Sequence, residues 1–343
     1  MIRTRDLAIA GRSIGSDHPP YVIAEIGINH NGDRALALSM LRAAHKAGAD
    51  AVKFQAFTPN RLFNSAINPA AVALFDQWAL TREDFTALDR AAAQLGIPFL
   101  CTPFDREWVA FLHEELKVPA FKVASSDCTN AWLLEAIGAT GKPVILSTGM
   151  ATLDEVALGV RTLREAGCPS LVLLHCVTQY PPEADEINLR AIQTLHESFE
   201  WPVGFSDHWI GNLASLGAIA AGACVIEKHF TTDRTLEGPD QAGSADPAGL
   251  ASLVSEARLM WQMQGDGVKE AKGREVALRT GGRPGLYAVA DLTAGHRVIA
   301  ADVYAARPQG GVPASRWGEV AGMELESAIG ADQAIEVTVG VEG

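Results

Sequence analysis

The stretch VGFSDHWIGNLASLGAIAAGACVIEKHF, residues 203–230, reads as strand, helix, strand. VGFS and CVIE are short apolar runs bounded by Gly or Pro, the pattern of parallel strands buried on both faces. Gly222 closes the helix between them, where a left-handed residue is wanted before the next strand. Just past each run stands a histidine, His208 and His229, with charged neighbours. Imidazole suits Mn, Zn, Co and Fe, so two such rings at neighbouring strand ends can share one divalent ion. A single histidine after a strand is more often a satisfied structural residue. The pair gains weight only if its arrangement recurs along the chain.

It does recur. Working outward, similar runs stand at 21–28, 51–55, 97–101, 120–124, 143–147 and 171–176, which with 203–206 and 224–229 make eight. The segments between them have helical period. In 83–95, Phe85, Leu88, Ala92 and Leu95 share one face. Thr81 with Asp84, and Thr152 with Glu155, fit a capping box. Asp246-Pro247 opens a helix with a cap and a first-turn proline, while Gly48, Gly96 and Gly167 end others. Eight strand–helix repeats within the usual ~250 residues predict a (β/α)8 TIM barrel. The competing fold, an open doubly wound sheet, wants a GxGxxG or GxxxxGK[ST] loop after a strand, and none is present.

In such a barrel the strand ends converge on one face, where an α/β fold keeps its chemistry. They supply Glu25, Asn29 and His30, then Lys53 and Gln55, Thr102, and Lys122, Ser125 and Asp127. Later strands add Ser147 and Thr148, His175 and Tyr180, Ser206 and His208, and finally His229. Lys53 and Lys122 among hydroxyls from Thr102, Ser125, Ser147 and Ser206 suit a small dianion. The competing reading makes each lysine a buried partner of Glu25 or Asp127, since buried charges tend to be paired. Two histidines alone would leave a metal open to substrate or water.

Composition narrows the classes. The 343 residues carry a net charge of −13, which disfavours nucleic acid as a partner and means that an anionic substrate needs a local cationic pocket. No apolar stretch is long enough to cross a bilayer, and MIRTRDLAIAGRS lacks the apolar core of a secretion signal, so a cytoplasmic location is expected. Five cysteines (Cys101, Cys128, Cys168, Cys176 and Cys224) without CxxC spacing read as buried hydrophobes rather than a disulfide or zinc framework. Residues 1–265 form the expected barrel. The Gly- and charge-rich 266–285 reads as a linker, and 286–343, with runs LYAVAD, HRVIAADV and AIEVTV, as a small domain of marginal independent stability.

EIGINHNGD (25–33), VKFQAF (52–57), TPF (102–104), FKVASSD (121–127), LSTGM (146–150), GFSDH (204–208), EKHFT (227–231) and GPD (238–240) together resemble the sialic acid synthase family. Members of that family condense phosphoenolpyruvate with an N-acetylmannosamine-type sugar into a nine-carbon 2-keto acid, releasing phosphate. The resemblance spans roughly 15–315 and implies the barrel followed by an antifreeze-like (SAF, β-clip type) domain. It implies His208 and His229 as ligands of a divalent metal, manganese, with magnesium or cobalt as alternatives. By the same resemblance Lys53, Thr102, Lys122, Ser125, Ser147 and Ser206 contact phosphoenolpyruvate. Asp127, Tyr180 and Asp240 hold the sugar, Glu25 sits beside the reacting carbons, and Glu25, Lys53 and Lys122 are the catalytic set. Arg307 matches an arginine that reaches the partner's site in a domain-swapped homodimer.

Three positions depart from the family pattern: Thr178 stands where some members have asparagine, Asp127 where some have glutamate, and RPG (283–285) replaces a frequent RRS. The first two bear on sugar choice, which also admits a 6-phosphate or a diacetamido-trideoxy hexose leading to legionaminic- or pseudaminic-type acids. A seven- or eight-carbon keto-acid synthase is disfavoured by GFSDH, EKHFT and the C-terminal extension. A non-catalytic carbohydrate-binding barrel would have no need of a metal site beside a cationic cradle.

Overall fold

The computed structural model describes residues 7–336. Two short strands, β1 (Leu7–Ile9) and β2 (Arg12–Ile14), form a hairpin that the sequence reading passed over. Its two-residue turn needs left-handed backbone at both positions, with Ala10 at φ 50° and Gly11 at φ 80°. Then come β3 (Tyr21–Gly27), β4 (Ala51–Ala56), β5 (Phe99–Pro103), β6 (Phe121–Val123), β7 (Val144–Ser147), β8 (Leu171–Cys176), β9 (Val203–Asp207) and β10 (Val225–His229). All eight pair in parallel, and β10 closes on β3, giving the expected barrel.

Side chains alternate across each strand. Val22, Ala24 and Ile26 of β3, Val52 and Phe54 of β4, and their equivalents pack outward against the helices. The inward set is layered along the barrel axis. Tyr21, Ile23, Ala51, Leu100, Ala120, Ile145 and Val172 fill the end where the strands begin, capped by Leu7, Ile9 and Ile14 of the hairpin. Two residues further along, the inward positions turn polar: Glu25, Lys53, Thr102, Lys122, Ser147, Ser206 and Glu227, all buried. Gly204 is inward as well, and a Cβ there would lie 2.5 Å from the Val225 carbonyl, so strands β9 and β10 approach only over glycine.

The helices follow their sequence signals. Arg82–Leu95 starts at a capping box between Thr81 and Asp84 and ends at Gly96 with φ 71°. Thr152 and Glu155 form a second box, and Asp246 caps Pro247–Gln264 through the Gly249 N–H. None of the helices is long and apolar enough, among the described residues, to cross a membrane.

The chain divides into two compact units at Gly265/Asp266. Within the segment read as a linker, Arg274–Gly282 is a nine-residue helix with no buried residue. Flanking glycines and charge hid it, because they resemble linker composition. The C-terminal unit pairs β11 (Gly285–Ala288) with β12 (Val303–Ala306) over a core of Leu286, Ala288, Leu292, Val298, Val312, Val320, Leu325 and Ile335. Of the AIEVTV run, residues beyond 336 lie outside the described ones, as do residues 1–6 of the N-terminal stretch.

Candidate active site

The polar inner layer opens into a cavity of about 690 Å³. Twelve of the thirteen site residues that the resemblance implies line it, Glu25, Lys53, Thr102, Lys122, Ser125, Asp127, Ser147, Tyr180, Ser206, His208, His229 and Asp240, and so does the strand-end Gln55. Arg307 does not. It lies exposed in the C-terminal unit, just after β12. Not every polar residue at a strand exit turns inward either. Asn29 donates to the Phe230 carbonyl and to Ser244 Oγ, both at 2.9 Å, Thr148 to the Leu174 carbonyl at 3.0 Å, and His175 Nε2 to the Ile187 carbonyl at 2.8 Å. His30 Nδ1 accepts from the Gly32 N–H at 3.1 Å. These side chains satisfy backbone and leave the cavity to the others.

At the cavity floor, two lysines and two glutamates interlock. Lys53 Nζ lies 2.7 Å from Glu25 Oε2 and 3.6 Å from Glu227 Oε2, and donates to Thr102 Oγ1 at 3.2 Å. Lys122 Nζ lies 3.8 Å from Glu227 Oε1 and donates to Ser147 Oγ at 2.6 Å. Ser206 Oγ donates to Glu227 Oε1 at 3.0 Å, and Gln55 Nε2 to Glu25 Oε1 at 2.9 Å. Burial works against the charges of Glu227, Lys53 and Lys122. For Glu227 the nearby Lys122 and Lys53 win, holding its carboxyl well below the usual range. For Lys53, burial is outweighed by Glu227 and Glu25, and its pKa rises. For Lys122, burial outweighs Glu227, and its pKa falls. The cluster is charge-balanced as built, so an incoming anion displaces carboxylates from lysines or brings a cation with it.

Glu227 was missed as a functional residue, although it belongs to the quoted EKHF. The period of two on β10 was the available signal: if His229 faces inward, so does Glu227, while Lys228 faces out. Lys228 is buried on that outer side. It pairs with Asp207 Oδ2 at 3.0 Å, its register partner on β9, and donates to the carbonyls of Trp209 and Gly211. Asp207 also accepts from the Trp209 N–H at 2.8 Å and from Ser215 Oγ. The residues between the inward ones therefore fasten the turn that carries His208.

The histidines meet at the mouth, ring centroids 5.3 Å apart, with Tyr180 stacked on His208 at 3.9 Å. His208 Nδ1 donates to the Val177 carbonyl at 2.7 Å, which leaves Nε2 with the lone pair. Burial and the neighbouring His229 push His208 down to about 3, so it is neutral at pH 7. His229 Nδ1 is buried, has no hydrogen-bond partner, and lies 3.6 Å from Asp240 Oδ2. A neutral His208 held in place by the Val177 carbonyl, beside a His229 with an orphaned ring nitrogen, fits a divalent cation. Among the described residues no group of three or more His, Cys, Asp or Glu is placed to cage one, so such an ion would keep open positions.

A pH dependence follows. His30, pushed down to about 4 by burial, joins His208 in staying neutral in the fold. Below pH 6.5 the unfolded chain protonates both and the fold does not. Their contribution is therefore complete above 6.5 and lost as pH falls toward about 4 and then about 3. Urea midpoints should rise with pH across that window, and His208→Gln should flatten the slope. An unchanged slope in that variant contradicts the assignment.

Across the cavity, Gly149 N–H donates to Ser125 Oγ at 3.0 Å. A Cβ at Gly149 would lie 2.7 Å from that oxygen and closer still to Thr178 Oγ1. Gly149→Ala is expected to weaken binding of inorganic phosphate about fivefold, the value of one hydrogen bond, and to lower stability as Ser125 and Thr178 move aside. Calorimetric titration showing unchanged affinity would contradict the expectation from the sequence that Ser125 contacts an anion. Nearby, burial raises the Asp127 carboxyl, opposed by hydrogen bonds from Asn130 and Ser126.

Comparison with known proteins accords with this geometry. The NeuB family matches residues 40–269, and the SAF domain matches 283–336. An uncharacterised protein of Methanocaldococcus jannaschii, MJ1065, is 43% identical over 263 residues, 77% of either chain. The N,N'-diacetyllegionaminic acid synthase of Legionella pneumophila is 36% identical over 333 residues, 92% of this chain and 93% of that one. The crystal structure of N-acetylneuraminic acid (sialic acid) synthetase from Leptospira borgpetersenii, in complex with citrate, superposes with a TM-score of 0.76 at 39% identity, covering 80% of this chain and 95% of that one. With a closed parallel barrel, a polar mouth and a matching C-terminal domain, the chain belongs to the NeuB family of enzymes and carries a SAF domain after its barrel.

Proposed function

We infer that the enzyme is a sialic acid synthase-type transferase, condensing phosphoenolpyruvate with N-acetylmannosamine or a related 2-acetamido sugar into a nine-carbon 2-keto acid. The observation that carries this reading is one cavity joining the lysine–hydroxyl cradle to the histidine pair. Lys53 and Lys122, with Thr102, Ser125, Ser147 and Ser206, hold the carboxylate and phosphate. Asp127, Tyr180 and Asp240 accept from and pack against the sugar. Manganese, or magnesium or cobalt, bound at His208 and His229 would offset the donor's charge and polarise the sugar aldehyde.

With both substrates held, C3 of phosphoenolpyruvate bonds to the aldehyde carbon as the C2–C3 and carbonyl π bonds break. The aldehyde oxygen takes up a proton and becomes a hydroxyl, and C2, left electron-poor, takes up water, whose second proton leaves with the phosphate. Glu25, 2.7 Å from Lys53, takes the first proton from that water. Lys53 and Lys122 stabilise the phosphate as its bridging C–O bond breaks. In H₂¹⁸O the released phosphate therefore stays unlabelled. Label in phosphate would mean P–O cleavage and would overturn the sequence of steps. Release of phosphate only when both sugar and metal are present supports the function itself, and release without sugar contradicts it. Arg307 is assigned to the site of a second copy in a domain-swapped homodimer. Sedimentation as a monomer at full activity would remove that role.

A further inference from the structure

The two histidines stand on different strands, and what holds them opposite each other lies behind them. Asp207 and Lys228 each stand one residue ahead of a histidine, and they are register partners across β9 and β10. Side chains alternate along a strand, so this pair points away from the cavity, and neither residue lines it. The two side chains meet in the barrel wall, Lys228 Nζ 3.0 Å from Asp207 Oδ2, 2% and 0% exposed.

An ammonium group has three hydrogens to donate. Lys228 gives them to Asp207 Oδ2, to the Trp209 carbonyl and to the Gly211 carbonyl, the last at 3.0 Å. Asp207 is used as fully. Its Oδ1 accepts from the Trp209 N–H at 2.8 Å, and its Oδ2 from Ser215 Oγ in the first turn of the helix Leu213–Ala220. Residues 207–211 thus wrap around one buried cation, which holds the chain both before and after His208. The Val177 carbonyl then sets the ring, at 2.7 Å from Nδ1. His229 follows Lys228 directly within β10, so the same cation ties the two histidines to one another. A buried ion pair is a weak source of stability, because desolvation offsets its attraction. Two apolar side chains could fill this space, but they could not hold two carbonyls of the turn.

We propose that Lys228 and Asp207 are positioning residues for the divalent ion: from outside the cavity they fix where His208 stands relative to His229, and so set the affinity of the pair for metal. The proposal rests on the reading of the two histidines as a metal site. Groups that orient a metal ligand typically change metal affinity by roughly 10–100-fold when they are removed.

The test is calorimetric titration of Mn²⁺ into the full-length protein, with inorganic phosphate titrated separately. Lys228→Met is expected to weaken Mn²⁺ binding by roughly 10–100-fold. Phosphate affinity should stay unchanged, since Lys53 and Lys122 stand on β4 and β6. This variant also strands a buried carboxylate and loses stability, so a second one separates the two roles. Asp207→Leu combined with Lys228→Met replaces the ion pair by apolar side chains. Its urea midpoint should return toward that of the parent while Mn²⁺ binding stays weak. Bound Co²⁺ should then absorb differently in the visible, because its ligands have moved. Mn²⁺ affinity that recovers together with stability would make the pair a strut of the barrel and overturn the proposal, as would a double variant that does not fold. A parent that binds no Mn²⁺ removes the metal reading and the proposal with it. Variants that bind Mn²⁺ as tightly as the parent overturn the proposal alone.

Discussion

Replacing His208 and His229 together by alanine is expected to cut metal-dependent phosphate release by about a thousandfold or more. A Lewis acid contributes several kcal/mol of transition-state stabilisation, and each 1.36 kcal/mol is a factor of ten. Folding should survive. The two rings sit at the cavity mouth and touch each other and Tyr180, outside the two apolar clusters of the barrel. Tightly bound metal should disappear from the variant in elemental analysis, while its far-ultraviolet circular dichroism stays native. Retained activity, unaffected by chelation, would show that the pair holds no catalytic ion. Single substitutions separate the roles. His208, oriented by the Val177 carbonyl, should matter more for affinity than His229, whose Nδ1 has no hydrogen-bond partner.

Glu227→Leu carries the second large effect, on stability. It leaves Lys122 buried without its main counter-charge and strips Ser206 of its acceptor. Breaking a buried pair by removing one partner costs about 3–5 kcal/mol, which should appear as a lower urea midpoint at unchanged slope. Glu227→Gln should cost less, because the amide oxygen can still accept from Ser206. Inorganic phosphate should stabilise both variants more than the parent, since the anion then supplies the missing charge. A leucine variant as stable as the parent would mean that Lys122 sheds its proton at little cost. The parent cluster, by contrast, is no reservoir of stability, because the desolvation of four ions offsets much of their attraction.

The barrel was legible because each strand announces itself twice, by an apolar run and by a glycine or cap at its border. The run at 171–176 coincides with β8, and most others agree within a residue. The run at 97–101 is the exception, since β5 spans Phe99–Pro103 and so brings Thr102 inside the strand. Pro98 lends only its carbonyl, which accepts from the Val52 N–H at 3.1 Å. Twelve expected site residues share one cavity because strand ends of a barrel must converge. What escaped was orientation. His175 and Cys176 are adjacent, yet only Cys176 lines the cavity. The same alternation hid Glu227 inside a run read as apolar. The cavity-lining rings of Phe63, Phe75, Trp78 and Phe104 escaped for another reason: they come from short helices and connections between elements, too brief for a period to foretell which side chains meet.

Closure of β10 on β3 sets a condition on the order of assembly. Glu25 and His229 are register partners across that seam, and Asn29 bonds to the Phe230 carbonyl, 201 residues away in the chain. A chain emerging from the ribosome can form its early strand–helix units one by one, yet it owns no complete site until the last strand returns to the first. Whatever the cavity binds can then act as a ligand of the closed barrel alone, and by mass action it draws nascent or partly opened chains toward that state. Abundance of this enzyme in a cell would then track the supply of what it binds.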